Sequence, residues 1–190
     1  GAGRVAPLGA RADGVDGVDG LNGLHGLALS PDGAHVYVAG ARDDAVAVFA
    51  RDAATGVLAF VQRRKNGAGV LESLNGARAV AVSPDGAHVY VAGDPADAIA
   101  IFARDPASGT LTFVARVKNG EDGVSGLHGP YALALTPDGT SLYAAAFDDD
   151  AVAAFARDAA TGALSFVGRV KDGESGAQGL DGARALAVAP

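Results

Sequence analysis

Apolar and polar residues alternate along this chain in short bursts separated by turn residues. Between residues 77 and 129 the bursts cover 78–83, 88–92, 98–102 and 111–118. Alternation with a period of two predicts β-strands, because successive side chains of a strand point to opposite faces of its sheet. The spacing does not fit a helix. The short turns between the bursts predict an antiparallel meander of four strands.

This four-strand pattern repeats with a period of 53 residues. The run Leu-Ala-Leu-Ser-Pro-Asp-Gly at 27–33 returns with small changes at 80–86 and 133–139, and it begins a fourth time at Leu186. A fixed period near fifty residues marks architectures in which one unit cannot bury its apolar face alone. Units of four antiparallel strands that repeat around an axis are β-propeller blades. We therefore predict an all-β fold built from such blades.

Two turn sequences recur in each unit and have a complete structural explanation. In Ser-Pro-Asp-Gly, proline presets φ, the aspartate can cap the turn, and glycine accepts the positive φ that closes it. The turn between the third and fourth strands, from Asp52 to Gly56 in the first unit, follows the same logic. We expect both turns to be scaffold only. We also expect His35 and His88, which begin second strands on the same side, to be exposed to solvent.

The motifs resemble those of the YVTN and lactonase-like propeller families. Blades of these families carry Ser-Pro-Asp-Gly, then a Val-Tyr-Val-Ala strand, then an Asp-Asp-x-Val-x-Val-Phe strand, which stand here at 30–33, 36–39 and 43–49. The resemblance spans about residues 4–190. It implies a propeller that closes with seven blades, and it specifies fold strongly and function weakly.

The repeat positions divide the chain into parts of a partial propeller. Residues 1–24 are expected to hold the outer strand, Arg4–Arg11, and the loop of a preceding blade. Three whole blades follow, at 25–76, 77–129 and 130–182, and residues 183–190 are expected to be the first strand of a further blade. The chain thus supplies about three and a half blades. Propellers generally need four or more to close.

The ends of such an arc expose unpaired inner strands, and uncovered strand edges attract other chains. Three arrangements remain open. The chain is a piece of a longer propeller, it assembles head to tail with copies of itself, or it closes irregularly. We therefore expect its partners to be copies of itself or missing blades, together with a glycan or peptide.

Composition narrows the classes of function. Apolar residues make up 49% of the chain, enough for a core, and the net charge is -7. Nucleic acids and anionic membranes require a basic face, so we expect neither as a partner. No apolar stretch approaches the roughly 20 residues of a membrane helix, so we expect no membrane insertion. The chain has no cysteine, which excludes disulfides, zinc thiolate sites and a cysteine nucleophile. Because the sequence begins within a repeat, we read it as a processed or trimmed product and expect an extracellular or cell-surface location.

Candidate chemistry lies where the blades differ from one another. The residue that opens each innermost strand varies, as does the residue three positions earlier, and both sets should surround the mouth of the central channel, where pockets of radial folds form. The first set is His25, Arg78, Tyr131 and Arg184, and the second is Asn22, Asn75, His128 and Asp181. Arginine can hold a carboxylate or phosphate, histidine can transfer protons, and tyrosine can stack or donate. Alternatively, the arginines pair with neighbouring aspartates and the ring only packs the channel mouth.

An aspartate also recurs at the start of the third strand of each blade, at Asp44, Asp97 and Asp150. These carboxylates are candidates for a polar rim, and clustered carboxylates can hold Ca²⁺. The loops lack the EF-hand and β-roll spacings, however, and an aspartate ahead of a strand more often caps a turn. We therefore expect no metal and no cofactor, with Ca²⁺ as the alternative.

The sequence contains no nucleophile elbow and no zinc-protease helix motif. The first hypothesis is therefore a non-enzymatic propeller, secreted or surface-associated. It binds a glycan, a peptide or a neighbouring subunit on its loop-bearing face, which carries the loops between blades and the loops between second and third strands. The alternative, which the family resemblance implies, is a lactone hydrolase that acts on an acidic sugar lactone through the channel-mouth ring.

Overall fold

The computed structural model describes residues 12–15, 17–67 and 72–189 and shows three antiparallel sheets of four strands. The first sheet contains β1 (Leu24–Leu29), β2 (His35–Gly40), β3 (Ala45–Arg51) and β4 (Leu58–Lys65). The second contains β5 (Ala77–Val82), β6 (His88–Gly93), β7 (Ala98–Arg104) and β8 (Leu111–Lys118). The third contains β9 (Pro130–Leu135), β10 (Ser141–Ala146), β11 (Ala151–Arg157) and β12 (Leu164–Lys171). One turn of 3₁₀-helix, Glu72–Leu74, is the helical structure within the described ranges. That part of the chain has no helix of the length and apolarity needed to cross a membrane.

Each sheet is a simple meander, and the sheets fan around a shared axis. In every sheet the strand order follows the chain, so β1, β5 and β9 are the innermost strands, and β5 lies beside both β1 and β9. The inner strands approach so closely that a Cβ at Gly26 would lie 2.6 Å from the carbonyl oxygen of Arg78. This arrangement confirms the prediction of four-stranded blades and of a partial propeller.

The two strands expected at the ends of the chain are not among the strands of the three sheets. The outer strand expected at Arg4–Arg11 falls outside the described residues. The first strand of a further blade, expected at 183–190, stays a prediction, and residues 183–189 are not paired with another strand. In the three blades the first strand is paired with the second strand of the same sheet. The segment instead lies beside Tyr143 and Val152 of the third sheet, where it lines a cavity.

Apolar cores fill the spaces between adjacent sheets. The first core joins Val46 and Val48 of the first sheet to Val91 and Ala100 of the second. The second core joins the second sheet to the third, with Leu127 of the connecting loop packed into it. The far face of the third sheet is not covered in this way, since Val167 is 70% exposed and Val170 is 54% exposed. The sheets are therefore stabilised by stacking on one another, as repeat units require.

A polar joint with the same layout connects each pair of neighbouring blades. It lies on the face that carries the Pro-Asp-Gly turns and the turns between third and fourth strands, opposite the loop-bearing face. Arg104 donates from Nε to the hydroxyl of Tyr37 at 2.8 Å, from Nη2 to Asp32 Oδ2 at 2.7 Å, and from Nη1 to the carbonyl of Gly86 at 3.0 Å. The Tyr37 hydroxyl donates in turn to the carbonyl of Gly109 at 2.9 Å. Arg157 makes the same contacts between the second and third blades. The recurring turns thus hold neighbouring blades together, beyond shaping their own hairpins.

The two histidines on this side are buried, so the expectation that they are exposed is wrong. His35 is 4% and His88 is 5% exposed. The Nδ1 atom of His35 lies 3.0 Å from Arg104 Nη2, and the ring packs against Gly109. Because an arginine can only donate, Nδ1 accepts and the imidazole is neutral. Burial and the positive charge of Arg104 both lower the pKa of His35, and burial and Arg157 do the same to His88.

The carboxylates of the joint are held in the charged state. Burial of Asp85 opposes its charge, but hydrogen bonds from Ser83, from the backbone of Ala87 and from Arg157 outweigh that effect and lower its pKa to about 2. The hydroxyl of Ser30 is the strongest contributor to the lowered pKa of Asp32, followed by the backbone of Ala34 and by Arg104. Each joint therefore pairs a charged arginine and aspartate with a neutral histidine.

We expect the free energy of unfolding to fall as the pH is lowered from 7.5 to 5. The folded-state pKa values of His35 and His88 lie below the unfolded value of about 6.5, so the unfolded chain binds more protons in this window and stability rises with pH. Urea unfolding at several pH values measures the slope. The variant H35N/H88N, whose amides can still accept from the arginines, should flatten it. An unchanged slope in that variant would refute the neutral-histidine joint.

Candidate functional site

The residues that open the inner strands meet at the axis of the fan, as the sequence predicts. Arg78 is in the centre: its Nη1 atom lies 3.3 Å from His25 Nε2 and 3.3 Å from the hydroxyl of Tyr131. Its guanidinium carbon stands 4.7 Å above the Tyr131 ring centre, within the range of a cation–π contact. Arg184 approaches the same ring at 5.5 Å. We call His25, Arg78, Tyr131 and Arg184 the axial cluster.

The axial cluster borders a small cavity with an apolar floor. The cavity measures about 230 Å³, and its floor is formed by the next residues of the three inner strands, such as Leu27, Val80 and Leu133. A larger cavity of about 480 Å³ lies at the outer edge between β8 and β12, far from the axis. In the axial cavity a proton carrier, two cations and a phenol converge. That combination marks a candidate site for a small polar ligand.

Two residues that complete the cluster were not singled out from the sequence. Asp94 accepts a hydrogen bond from Arg78 Nε in an ion pair, and Phe147 supplies a ring face 4.5 Å from the guanidinium carbon of Arg184. Both occupy the first position of the loop after the second strand, where the first blade has Ala41. This loop opens on the same face as the inner-strand starts. Its variation from blade to blade was the signal that could have identified them.

The other predicted channel-mouth residues do not line the cavity. The backbone N–H of Asn22 donates to Asp43 Oδ2 at 2.8 Å, and the side chains of Asn22, Asn75 and Asp181 are exposed. His128 turns towards the loop acids, with Nε2 3.3 Å from Asp97 Oδ2. The alternative that an arginine pairs with an aspartate is correct for Arg78.

The recurring aspartates of the expected polar rim have a structural task. The Oδ1 atom of Asp44 accepts from the backbone N–H of Gly76 at 2.8 Å, just before the next inner strand, and Asp97 and Asp150 accept from the corresponding glycines at 2.9 and 2.8 Å. All three have a positive φ near 51°, which aspartate tolerates better than most residues. Asp44 and Asp97 thus fix the positions at which the following inner strands, β5 and β9, begin.

Three other carboxylates, of Asp13, Asp19 and Asp43, have oxygens within 4.8 Å of one another. Two of them already accept backbone N–H groups, those of Leu21 and Asn22. The expectation of no metal stays a prediction.

Comparison with known proteins decides the family. The family described as "Lactonase, 7-bladed beta-propeller" matches residues 27–177, which is most of the chain. The chain belongs to this lactonase family. Among proteins with curated descriptions, none matches significantly.

Solved structures agree with this lactonase assignment. A candidate 6-phosphogluconolactonase from Bacteroides fragilis is 28% identical with a TM-score of 0.67, and a periplasmic gluconolactonase from Pseudomonas aeruginosa is 29% identical with a TM-score of 0.67. Each match covers 80% of this chain and 40% of the other chain. The chain therefore spans about 40% of the length of these structures.

The lactonase family corrects the first functional hypothesis. A non-enzymatic binding module is contradicted, because both the family and these similar structures are described as lactonases. The most prominent motifs of the sequence are those of the turns, and they indicate the fold and not the activity. The axial cluster uses a different residue in each blade, so no repeated catalytic motif could be found.

Proposed function

We propose that this chain contributes to the hydrolysis of a sugar lactone at the axial cluster. The observation that carries the proposal is the convergence of His25, Arg78, Tyr131 and Arg184 on one cavity in a chain of the lactonase family. The names of the similar Bacteroides and Pseudomonas proteins support a six-carbon aldonolactone as the substrate type. Because the chain spans about 40% of those structures, the proposal concerns the part of the site that these residues build.

The cluster supplies groups for each stage of ester hydrolysis. A water oxygen adds to the lactone carbonyl carbon, the bond from that carbon to the ring oxygen breaks, and the ring oxygen takes up a proton to give a hydroxy acid. His25 supplies the basic nitrogen of the cluster: its Nε2 atom accepts from Arg78 Nη1 in the free site and takes the proton from water once that contact is released. The arginines and the Tyr131 hydroxyl can donate to the oxyanion that forms at the carbonyl, and such donors contribute most in a water-poor site.

Arg78 also positions its neighbours. It contacts both His25 and Tyr131, and its Nε atom is fixed by Asp94, whose side chain is only 16% exposed. A guanidinium held from one side presents its remaining N–H groups in a fixed direction. The His25 Nε2 atom is thereby held against the Arg78 guanidinium at the border of the cavity.

Replacing Arg78 by alanine is expected to lower kcat/KM for glucono-1,5-lactone about 100-fold. The variant removes one oxyanion donor and frees the His25 ring. Titration of the acid released at constant pH, corrected for spontaneous hydrolysis, measures the rate. Arg116→Ala, which removes a half-buried arginine paired with Glu121 outside the site, is the control and should retain activity. Equal rates in the two variants would count against the axial site.

A further inference from the structure

The cavity of about 480 Å³ between β8 and β12 lies at the junction of the second and third blades. The preceding junction shows how side chains can occupy this part of the fold. There the Gln62 side-chain oxygen accepts from the backbone N–H of Leu111 at 2.8 Å, and Arg64 donates from Nε to the carbonyl of Leu111 at 2.7 Å. Two side chains of the first blade thus satisfy the backbone groups of one residue on the outer strand of the second.

The second blade cannot form the same bonds with the third. Ala115 and Val117 stand at the repeat positions of the glutamine and the arginine, and neither has a polar side-chain atom. Leu164 stands at the repeat position of the leucine and lines the cavity. At this junction the space that the two longer side chains would fill is therefore open.

The backbone N–H and carbonyl of Leu164 point away from β11. Leu164 pairs with Arg157, and Arg157 donates its own N–H to Thr140 on its other side. Paired residues of this kind do not exchange hydrogen bonds with each other, because the bonded and non-bonded pairs of an antiparallel ladder alternate. β12 is the last strand of its sheet, and within the described ranges no side chain bonds to these two groups. A donor and an acceptor on one extended residue thus remain available at the cavity.

A carboxamide matches this pair of backbone groups. Its oxygen accepts from the N–H while its NH₂ group donates to the carbonyl, so that one planar group satisfies both. The charged residues of the wall suit the other end of an amino acid. Arg116 and Glu121 are paired with each other at 3.0 Å, which leaves Lys118 and Asp122 to face a ligand. A carboxylate and an ammonium of one zwitterion each find an opposite charge there.

We propose that this cavity binds a free amino acid with a carboxamide side chain, of which glutamine is the type. The carboxamide pairs with the backbone of Leu164, and the methylene groups lie against apolar wall residues such as Val124 and Phe166. The α-carboxylate and the α-ammonium lie at Lys118 and Asp122. This site is separate from the axial cluster, so the inference does not depend on the proposed hydrolysis.

Glutamine and glutamate provide a matched pair of probes for the unmodified chain. Glutamate has the same shape, but its side-chain carboxylate cannot donate to the carbonyl of Leu164. NMR titration of the isotope-labelled chain should therefore give a dissociation constant about tenfold lower for glutamine than for glutamate, with the largest shift at the Leu164 amide. Equal affinities, shifts confined to other parts of the chain, or no shift with either probe would overturn the proposal.

A variant that rebuilds the preceding junction tests the same assignment from within the chain. A115Q/V117R supplies an amide and a guanidinium to the backbone groups of Leu164, so it should raise the urea midpoint of unfolding and abolish glutamine binding. Val114→Gln is the control, because Val114 is exposed on the same strand and lies outside the lining of the cavity. The control should bind glutamine as the unmodified chain does. Glutamine binding that persists in a stabilised double variant, or an equal loss of binding in the control, would refute the site.

Discussion

Replacing Arg104 by alanine is expected to lower the free energy of unfolding by about 3 kcal/mol. The Arg104 side chain is 2% exposed and connects two blades through Tyr37, Asp32, His35 and its own turn at Gly86. Its loss leaves a buried hydroxyl and a buried carbonyl without their donor, and it removes the partner of a carboxylate. Urea unfolding at pH 7.5 measures the change.

The chain contains its own control for this variant. Arg51 occupies the same repeat position in the first blade, but its described hydrogen bond is to Gly33 of its own blade at 3.2 Å. Arg51→Ala should therefore cost less than about 1 kcal/mol. If the two substitutions cost the same, the joint between blades would not be the source of the stability.

Replacing Gly109 by alanine is expected to destabilise the fold by about 4 kcal/mol, from two causes. Gly109 has a φ of +74°, a conformation that a side chain disfavours, and an added Cβ would lie 2.1 Å from Cδ2 of the buried His35 ring. The ring cannot move away without breaking its contact with Arg104. Thermal or urea unfolding reports the loss.

Gly173 separates the two causes, since its φ is also +74° but nothing lies within 4 Å of an added Cβ. Gly173→Ala should cost only the backbone strain of about 1 kcal/mol. A cost for Gly109→Ala that is no larger than this would show that the close packing of His35 on the turn is unimportant.

The strands and turns were predictable because their signals are local. Alternation of apolar residues and the Pro-Asp-Gly turns act over fewer than ten residues, and β5 to β8 begin and end within two residues of the predicted limits. The burial of His35 was not predictable in this way. It depends on Arg104, which lies 69 residues away in the next blade. A turn sequence that fully explains its own hairpin gives no sign that its aspartate also binds a neighbour.

The axial cluster was partly predictable from the repeat. Residues at one repeat position must share one radius from the axis, so His25, Arg78 and Tyr131 were placed together correctly. Their partners Asp94 and Phe147 come from a different loop, and only the fold shows that it bends over the inner strands. The direction of a loop side chain does not follow from the repeat period.

Because the two joints are nearly identical, they do not by themselves determine which blade stacks on which during folding. Arg157 would find the same aspartate, histidine and tyrosine on the first blade as on the second, so the polar contacts cannot prevent the third blade from stacking on the first. Side-chain size distinguishes the correct neighbour, because Ile99 and Ile101 share one buried core with the small residues Ala144 and Ala153. The smaller valines of the first blade would leave holes there, each costing about 1 kcal/mol per missing methylene. The order of the blades is therefore determined by the size of the apolar side chains in the cores between them, and not by the charged groups of the joints.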